Sequence, residues 1–162
     1  MKSLKQTLNA PGRTALFGAP AGYDALILSR LAREAGGDGI LHVAVDDARM
    51  ATLAEALAFF APDCEVLQLP AWDCLPYDRT SPNGEILSSR VDSLTRLLLP
   101  AEKKGGRILL TTVSSVLQKL PVRASFEGAV LSVEVGQRVQ LDDLIGFFQR
   151  NGYIRVDTVR EP

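Results

Sequence analysis

The chain is poor in histidine, cysteine and tryptophan. Among its 162 residues there is one histidine, His42, one tryptophan, Trp72, and two cysteines, Cys64 and Cys74. His42 lies in an apolar run with no second metal ligand or adjacent carboxylate, so we expect it to pack in the core or at an edge. The cysteines lack a C-x-x-C spacing and are expected to be buried thiols in a reducing compartment. The composition therefore predicts no metal site.

A strong charge and a long apolar segment are also absent. The formal net charge is −1, which offers no general attraction to nucleic acid. No apolar segment has the length of a signal peptide core or a membrane span, so we expect a cytoplasmic protein. The apolar fraction is 46%, which is enough for a hydrophobic core.

Apolar runs alternate with helical patterns along most of the chain. Strands are predicted at residues 15–17, 40–45, 65–69 and 107–113, and helices at residues 23–35, 48–60 and 85–99. Asp46 or Asp47 is expected to cap the second helix, and Ser114 a short helix that ends at Pro121. This alternation predicts an α/β fold, a parallel sheet with helices on both faces.

The pattern changes after Pro121. Residues 129–135 and 153–159 alternate apolar and polar side chains, which predicts two strands. Between them a helix closed by Asn151-Gly152 is predicted from an apolar face of Leu141, Leu144, Ile145 and Phe148. We expect residues 1–124 to form the α/β domain and residues 125–162 to begin a small α+β domain. About 38 residues bury too little surface to be stable alone, so we expect a fragment of a longer protein.

The turn after the first predicted strand has the outline of a phosphate-binding loop without its chemistry. Gly18-Ala-Pro-Ala-Gly22 lies between a predicted strand and a predicted helix, as the P-loop G-x-x-x-x-G-K-[ST] does. Counted from Gly18, the second glycine falls on Tyr23, the lysine on Asp24 and the Mg²⁺-binding hydroxyl on Ala25. Asp24 brings negative charge to a polyphosphate and Ala25 cannot bind a metal. Two interpretations stay open, a degenerate phosphate loop and an ordinary β–α turn.

Residues 69–90 form the most distinctive segment. Trp72 and Tyr77 supply aromatic anchors to a loop stiffened by prolines. The loop follows a predicted parallel strand, and open α/β sheets bind ligands at that end of their strands. The segment is interpreted either as a binding loop or as a rigid packed connection.

Arg90 falls on the apolar arc of the helix behind this loop. A buried guanidinium must be paired, because an uncompensated charge costs several kcal/mol. We predict an ion pair with Asp73 or Asp78 that fixes the loop to the helix. The rival interpretation is an arginine that reaches a phosphate.

The same segment carries a resemblance to a known family. Leu69-Pro-Ala-Trp-Asp-Cys-Leu-Pro-Tyr-Asp78, followed by Ser81-Pro82 and Ser88-Ser89-Arg90, is similar to the N-terminal region of the bacterial transcription-repair coupling factors (Mfd). The similarity extends more loosely over most of the chain, including the turn at Gly18 and the Gly136-Gln137-Arg138 segment.

The resemblance implies a UvrB-like module that keeps the shape of a nucleotide-binding domain and has lost the nucleotide site. Such a module recruits UvrA, the damage-recognition ATPase, to RNA polymerase stalled at a lesion. The resembled parent protein is an ATP-driven DNA translocase whose motor domains lie far beyond residue 162. The chain itself is therefore expected to be non-catalytic, to carry no cofactor, and to reach RNA polymerase and DNA only through the parent protein.

The candidate partner-binding residues are transferred from the resembled family by their position in the sequence alone. They are Arg150, Arg155 and Arg160 in the second domain. The strongest contacts of the family come from arginines that would follow residue 162, so weak UvrA binding or none is expected from this chain. Two other functions stay open: a divergent P-loop ATPase or helicase domain that binds nucleotide itself, and a Rossmann-type metabolite or dinucleotide binder, against which the missing G-x-G-x-x-G turn speaks.

Overall fold

The computed structural model describes residues 12–35, 39–74, 79–126, 128, 130–131 and 133–156. Packing divides the chain into two compact units, Met1–Leu120 and Pro121–Pro162. Each unit is described by itself below.

The first unit is built on a three-stranded parallel sheet. Its strands β1 (Ile40–Ala44), β2 (Glu65–Leu69) and β3 (Arg107–Thr112) lie in the order β1-β3-β2. Both pairings are parallel, with Ile108 of the central strand beside Ile40 on one side and Val66 on the other. Parallel neighbours need crossover connections, which the intervening helices supply. The predicted α/β class with a parallel sheet is therefore confirmed.

Three helices of this unit begin and end close to their predicted bounds: α1 (Tyr23–Ala35), α2 (Asp47–Phe60) and α3 (Gly84–Leu97). A fourth helix, α4 (Val113–Val116), is a single turn. Asp46 caps α2 by accepting the Arg49 N–H at 2.8 Å. Asn83 caps α3 by accepting the Glu85 N–H at 2.8 Å. Each cap satisfies one of the amides that a helix leaves unpaired at its start.

One face of the sheet is buried by α1 and α2. The core contains Ala25, Leu28, Ala32, Ala44, Met50, Leu53, Leu57, Ala61, Cys64, Ile108 and Leu110. Because side chains alternate along a strand, Leu67 and Leu69 lie on the opposite face. Both are buried there, on the strand that α3 contacts. Leu41 and Val43 of β1 share that face but are 61% and 42% exposed.

The strand predicted at residues 15–17 is wrong. These residues adopt no strand, and Leu16 and Phe17 are exposed. Three apolar residues are at the lower limit of strand length, and this run packs against no part of the core.

The cap predicted for the short helix is also wrong. The Thr112 hydroxyl, rather than that of Ser114, accepts the Ser115 N–H, and the helix ends at Val116 instead of Pro121. Thr112 is the last residue of β3 and has extended backbone, which is the conformation of an N-cap residue.

In the second unit the described elements are a 3-10 helix at Arg123–Phe126 and helix α5 (Leu141–Arg150). Helix α5 and its end at Asn151-Gly152 agree with the prediction. Gly152 has φ of +85°, a left-handed conformation that glycine adopts at helix ends without steric cost.

The two strands predicted in this unit are wrong for the residues that the structure describes. Residues 130–131, 133–135 and 153–156 belong to no strand. A strand needs a second extended segment to pair with its backbone N–H and C=O groups, and no described residue of this unit pairs in that way. The Tyr153 N–H instead donates to the Phe148 carbonyl at 3.0 Å.

Candidate interaction site

The Gly18–Ala25 turn closes through its own backbone. Gly18 and Gly22 have φ of +72° and +81°, which is the region that glycine adopts without strain. Tyr23 donates its N–H to the Pro20 carbonyl at 3.1 Å, and Leu26 donates to the Gly22 carbonyl at 3.4 Å. A helix N-terminus binds phosphate through free amides, and these two amides are already used.

Asp24 stands at the position of the P-loop lysine and is bonded through both carboxylate oxygens. Oδ1 accepts the Ala25 N–H at 3.0 Å, and Oδ2 accepts Nη2 of Arg49 at 2.5 Å. The carboxylate therefore supplies an internal anion to the positive end of α1. Arg49 on α2 is engaged by the same group. A polyphosphate placed here would meet a carboxylate and a cation that is already paired.

The neighbours of this turn add no phosphate or metal chemistry. Ala25, at the position of the Mg²⁺-binding hydroxyl, is fully buried in the core. His42 is half-buried on β1, in keeping with the predicted packing role. Burial lowers the pKa of His42, with Asp24 opposing this and Arg49 reinforcing it, so the imidazole is neutral at pH 7.

Arg90 is buried, as its place on the apolar arc predicts, but its predicted pairing with Asp73 is wrong. The side chain is 2% exposed. Asp73 instead accepts the backbone N–H of Asn83. Asp78, the other predicted partner, and Tyr77 lie outside the residues that the structure describes. Within the described residues Arg90 makes no ion pair: its Nη1 donates to neutral oxygens, and its buried Nε has no hydrogen-bond partner there.

Those neutral oxygens lie at the carboxyl ends of β2 and β3. Nη1 of Arg90 donates to the Pro70 carbonyl, to Ser115 Oγ at 3.1 Å and to Gln118 Oε1 at 3.3 Å. The guanidinium carbon lies 4.3 Å from the centroid of the Trp72 ring, within the range of a cation–π interaction. Burial lowers the pKa of Arg90, although a guanidinium stays charged in proteins. Arg90 therefore fixes the loop to helix α3, through neutral partners rather than through Asp73.

Sequence reasoning missed Ser115 and Gln118. Gln118 Oε1 also accepts the Trp72 N–H at 3.1 Å, and Ser115 Oγ donates to the Pro70 carbonyl at 3.2 Å. Both residues follow β3 as Trp72 follows β2, and adjacent parallel strands end at one edge of the sheet. The predicted parallel sheet therefore indicates that residues after β3 lie near residues after β2, and this could have identified Ser115 and Gln118. At this edge the chain itself makes the hydrogen bonds that a ligand would otherwise make.

A second buried network, also missed, lies at the opposite edge of the sheet. Glu65 is 1% exposed and accepts Arg96 Nη2 at 2.6 Å and Arg107 Nε at 2.8 Å. Burial raises the pKa of Glu65, but the hydrogen bonds from Arg107 and Arg96 outweigh it and hold the pKa below its usual range. The sequence does contain a signal for this network, because Glu65 is an acidic residue at the first position of a mostly apolar strand. The network ties the start of β2 to β3 and α3.

Of the candidate partner-binding arginines, Arg150 lies at the end of α5 and Arg155 lies five residues further along the chain. Arg150 is exposed at the end of the helix, and Arg160 lies outside the described residues. Arg155 lines a shallow groove of about 540 Å³ together with Leu141, Ile145, Phe148, Gln149, Tyr153 and Ile154. The rings of Phe148 and Tyr153 form one wall, with centroids 5.2 Å apart.

Other site types find little support in the part of the chain that the structure describes. It contains no group of three histidine, cysteine, aspartate or glutamate side chains placed to hold a metal ion. None of its helices is long and apolar enough to cross a membrane. Cys64 and Cys74 are free thiols, the first buried as predicted and the second only partly buried.

Comparison with known proteins gives consistent relatives. The chain is 31% identical over 137 residues to the transcription-repair-coupling factor of Escherichia coli (strain K12), covering 85% of the chain and 11% of that protein. It is 32% identical over 145 residues to that of Mycobacterium bovis (87% and 11%), and 28% identical over 129 residues to that of Rickettsia prowazekii (80% and 11%). No family model matches the chain. The chain spans about a tenth of the length of these curated relatives.

Proposed function

Because the chain belongs to the transcription-repair-coupling factors and spans about a tenth of their length, we propose that it is a non-catalytic protein-interaction module of such a factor. In this proposal it serves transcription-coupled nucleotide excision repair in the cytoplasm. Its sheet acts as a scaffold, and its work is to dock another repair protein.

The single observation that carries the non-catalytic role is the bonding of Asp24. Its carboxylate occupies the N-terminus of α1, accepts the Ala25 amide and pairs with Arg49. A triphosphate needs positive charge and free amides at this place. Binding ATP here would require breaking the Asp24–Arg49 pair and placing like charges together, which opposes binding.

The carboxyl edge of the sheet supports the same role. Open α/β sheets bind their ligands there, but Trp72, Arg90 and Gln118 fill the region between the ends of β2 and β3 with their mutual contacts. A filled edge gives a rigid surface and leaves small ligands few free polar groups. Rigid surfaces favour protein docking, because less conformational entropy is lost on binding.

The partner we propose is UvrA, with RNA polymerase and DNA reached through the parent protein. Arg150 and Arg155 are the candidate contact residues, and Arg160 is included because it follows them in the sequence. From Leu144 to Val156 the chain carries these two arginines and no acidic residue. This local positive charge suits carboxylates on a partner.

Binding of the purified chain to immobilised UvrA tests the proposal. Charge reversal by Arg155→Glu, alone or with Arg150→Glu, is expected to weaken binding about tenfold if these arginines meet partner carboxylates. Arg138→Glu is the matched control, since it reverses an exposed charge of the same unit outside α5. A longer chain that includes the following residues of the family is expected to bind more tightly. The proposed docking role is wrong if neither this chain nor the longer chain binds UvrA. The placement of the contact surface at Arg150 and Arg155 is wrong if only Arg138→Glu weakens binding.

A further inference from the structure

Two Asn-Gly pairs, Asn83-Gly84 and Asn151-Gly152, lie exposed in the structure. In such a pair the amide nitrogen after asparagine can attack the side-chain carbonyl carbon, and glycine has no Cβ to hinder the approach. The two pairs differ in how firmly their reacting groups are held.

At Asn83 the side-chain carbonyl, which is the electrophile, is held by a hydrogen bond, whereas the Gly84 amide nitrogen, which is the nucleophile, donates to no described group. Asn83 Oδ1 accepts the Glu85 N–H at 2.8 Å. This amide polarises the side-chain carbonyl and would stabilise the oxyanion that forms on attack. Neither the Gly84 N–H nor the Asn83 side-chain NH₂ donates to a group within the described residues. A Cβ built at Gly84 meets no atom within 4 Å, so the surroundings of the nucleophile are open.

We propose that Asn83-Gly84 is a site of spontaneous deamidation at the junction of the loop and helix α3. A hydroxide ion removes the Gly84 amide proton, and the nitrogen attacks Cγ of Asn83. The Cγ–Nδ2 bond breaks, and ammonia leaves with a proton taken from water. Water then opens the cyclic imide, giving aspartate if it attacks Cγ and isoaspartate if it attacks the main-chain carbonyl carbon. No oxidant or cofactor takes part.

The attack requires the start of α3 to fray. Asn83 has ψ of 135°, and rotation that brings the Gly84 nitrogen to Cγ gives up the bond from the Leu87 N–H to the Asn83 carbonyl. Loss of a terminal helical bond is a common local opening.

The reacting groups of Asn151-Gly152 are held by more hydrogen bonds than those of Asn83-Gly84. The Gly152 N–H donates to the Gln149 carbonyl at 3.2 Å, and Asn151 Nδ2 donates to the Phe147 carbonyl at 2.9 Å. Nucleophile and leaving group are therefore both engaged, and attack gives up at least one hydrogen bond more than at Asn83. One net hydrogen bond lowers the reactive population about fivefold.

The product alters the loop that carries the family resemblance. Aspartate at position 83 adds a negative charge beside Asp73, whose carboxylate accepts the backbone N–H of residue 83. Isoaspartate adds a methylene to the main chain at the first turn of α3. Either product changes the attachment of the loop to the helix that holds Arg90.

Ageing of the intact chain at 37 °C and pH 9, followed by trypsin digestion and mass spectrometry, tests this inference. Cleavage at arginine isolates each pair in its own peptide, residues 80–90 and residues 151–155. We expect the amide-to-acid mass shift to accumulate about fivefold faster in the first peptide. Aspartate and isoaspartate forms should separate on chromatography.

Gly84→Ala provides the control, because it adds a Cβ beside the nucleophile without a steric clash in the folded chain. This variant should lose most of the conversion at Asn83 and keep that at Asn151. The inference is overturned if Asn83 remains an amide while Asn151 converts, if both convert at the same rate, or if Gly84→Ala leaves the rate at Asn83 unchanged.

Discussion

Replacing Arg90 by alanine tests how the loop of residues 69–83 is fixed to the sheet. The change removes one cation–π contact with Trp72, worth about 1–2 kcal/mol when desolvated. It also removes the hydrogen bonds from Nη1, whose two hydrogens are shared among three oxygens and contribute about 1 kcal/mol each. Relief of a buried charge with no carboxylate partner among the described residues returns part of this total. We therefore expect Arg90→Ala to lower the free energy of unfolding by about 3 kcal/mol.

Urea unfolding followed by tryptophan fluorescence measures this change. Trp72 is the single tryptophan of the chain and lies against the guanidinium, so its emission reports on the loop directly. Arg90→Lys should also destabilise the chain, because an ammonium cannot reproduce the planar fork and its stacking on the ring. At about 2–4 °C per kcal/mol for a chain of this size, Arg90→Ala should lower the Tm by about 6–12 °C.

Arg30→Ala is the matched control, since Arg30 is an exposed arginine on α1 and its loss should change stability by no more than about 0.5 kcal/mol. The opposite result is that Arg90→Ala is as stable as Arg30→Ala and that the Trp72 emission of the folded chain is unchanged. That result would mean that Arg90 does not hold the loop.

Two further predictions concern other parts of the first unit. Glu65→Gln should cost about 3 kcal/mol at pH 7, because it removes the only carboxylate paired with Arg107 among the described residues and the shortest ion pair of Arg96, which keeps Asp92 and Glu102. The pKa of Glu65 is lowered in the folded chain, so its contribution is complete above an unfolded pKa of about 4.3 and is lost as the pH falls through the folded value. Urea midpoints measured from pH 7 to pH 2 should converge for the two chains at the acid end, and parallel curves would contradict the assignment. Gly105→Ala should cost about 1–3 kcal/mol by overpacking, because its Cβ would lie 2.6 Å from the Asp63 carbonyl oxygen. Gly84→Ala, where the Cβ is unopposed, should be close to neutral in the same thermal melt, and equal effects would refute the packing argument.

Much of the first unit could be predicted from sequence, because its segments carry clear local signals. Helices α1 and α2 followed from their end signals at Gly36-Gly37, Asp46 and Pro62, strand β2 from a short apolar run, and the burial of Arg90 from the spacing of apolar residues. The resemblance of residues 69–90 to the transcription-repair coupling factors is confirmed by relatives aligned over most of the chain.

The partners of buried polar groups could not be predicted in the same way. Arg90 was assigned an aspartate from its own loop, whereas its partners include Ser115 and Gln118 from a strand end far along the sequence. Contacts of this kind depend on the strand order β1-β3-β2, which local periodicity does not contain. The extended segments at residues 15–17 and 153–156 failed for a related reason, because a strand exists only with a partner.

A titration of the chain with a fluorescent ATP analogue in the presence of Mg²⁺ tests whether the Gly18–Ala25 turn has lost the nucleotide site. With the Asp24 carboxylate at the N-terminus of α1, we predict no saturable binding at concentrations up to about 1 mM. Saturable binding with a Kd of about 1 μM, abolished by substitution of Gly18 or Gly22, would contradict the account and establish a nucleotide-binding domain instead.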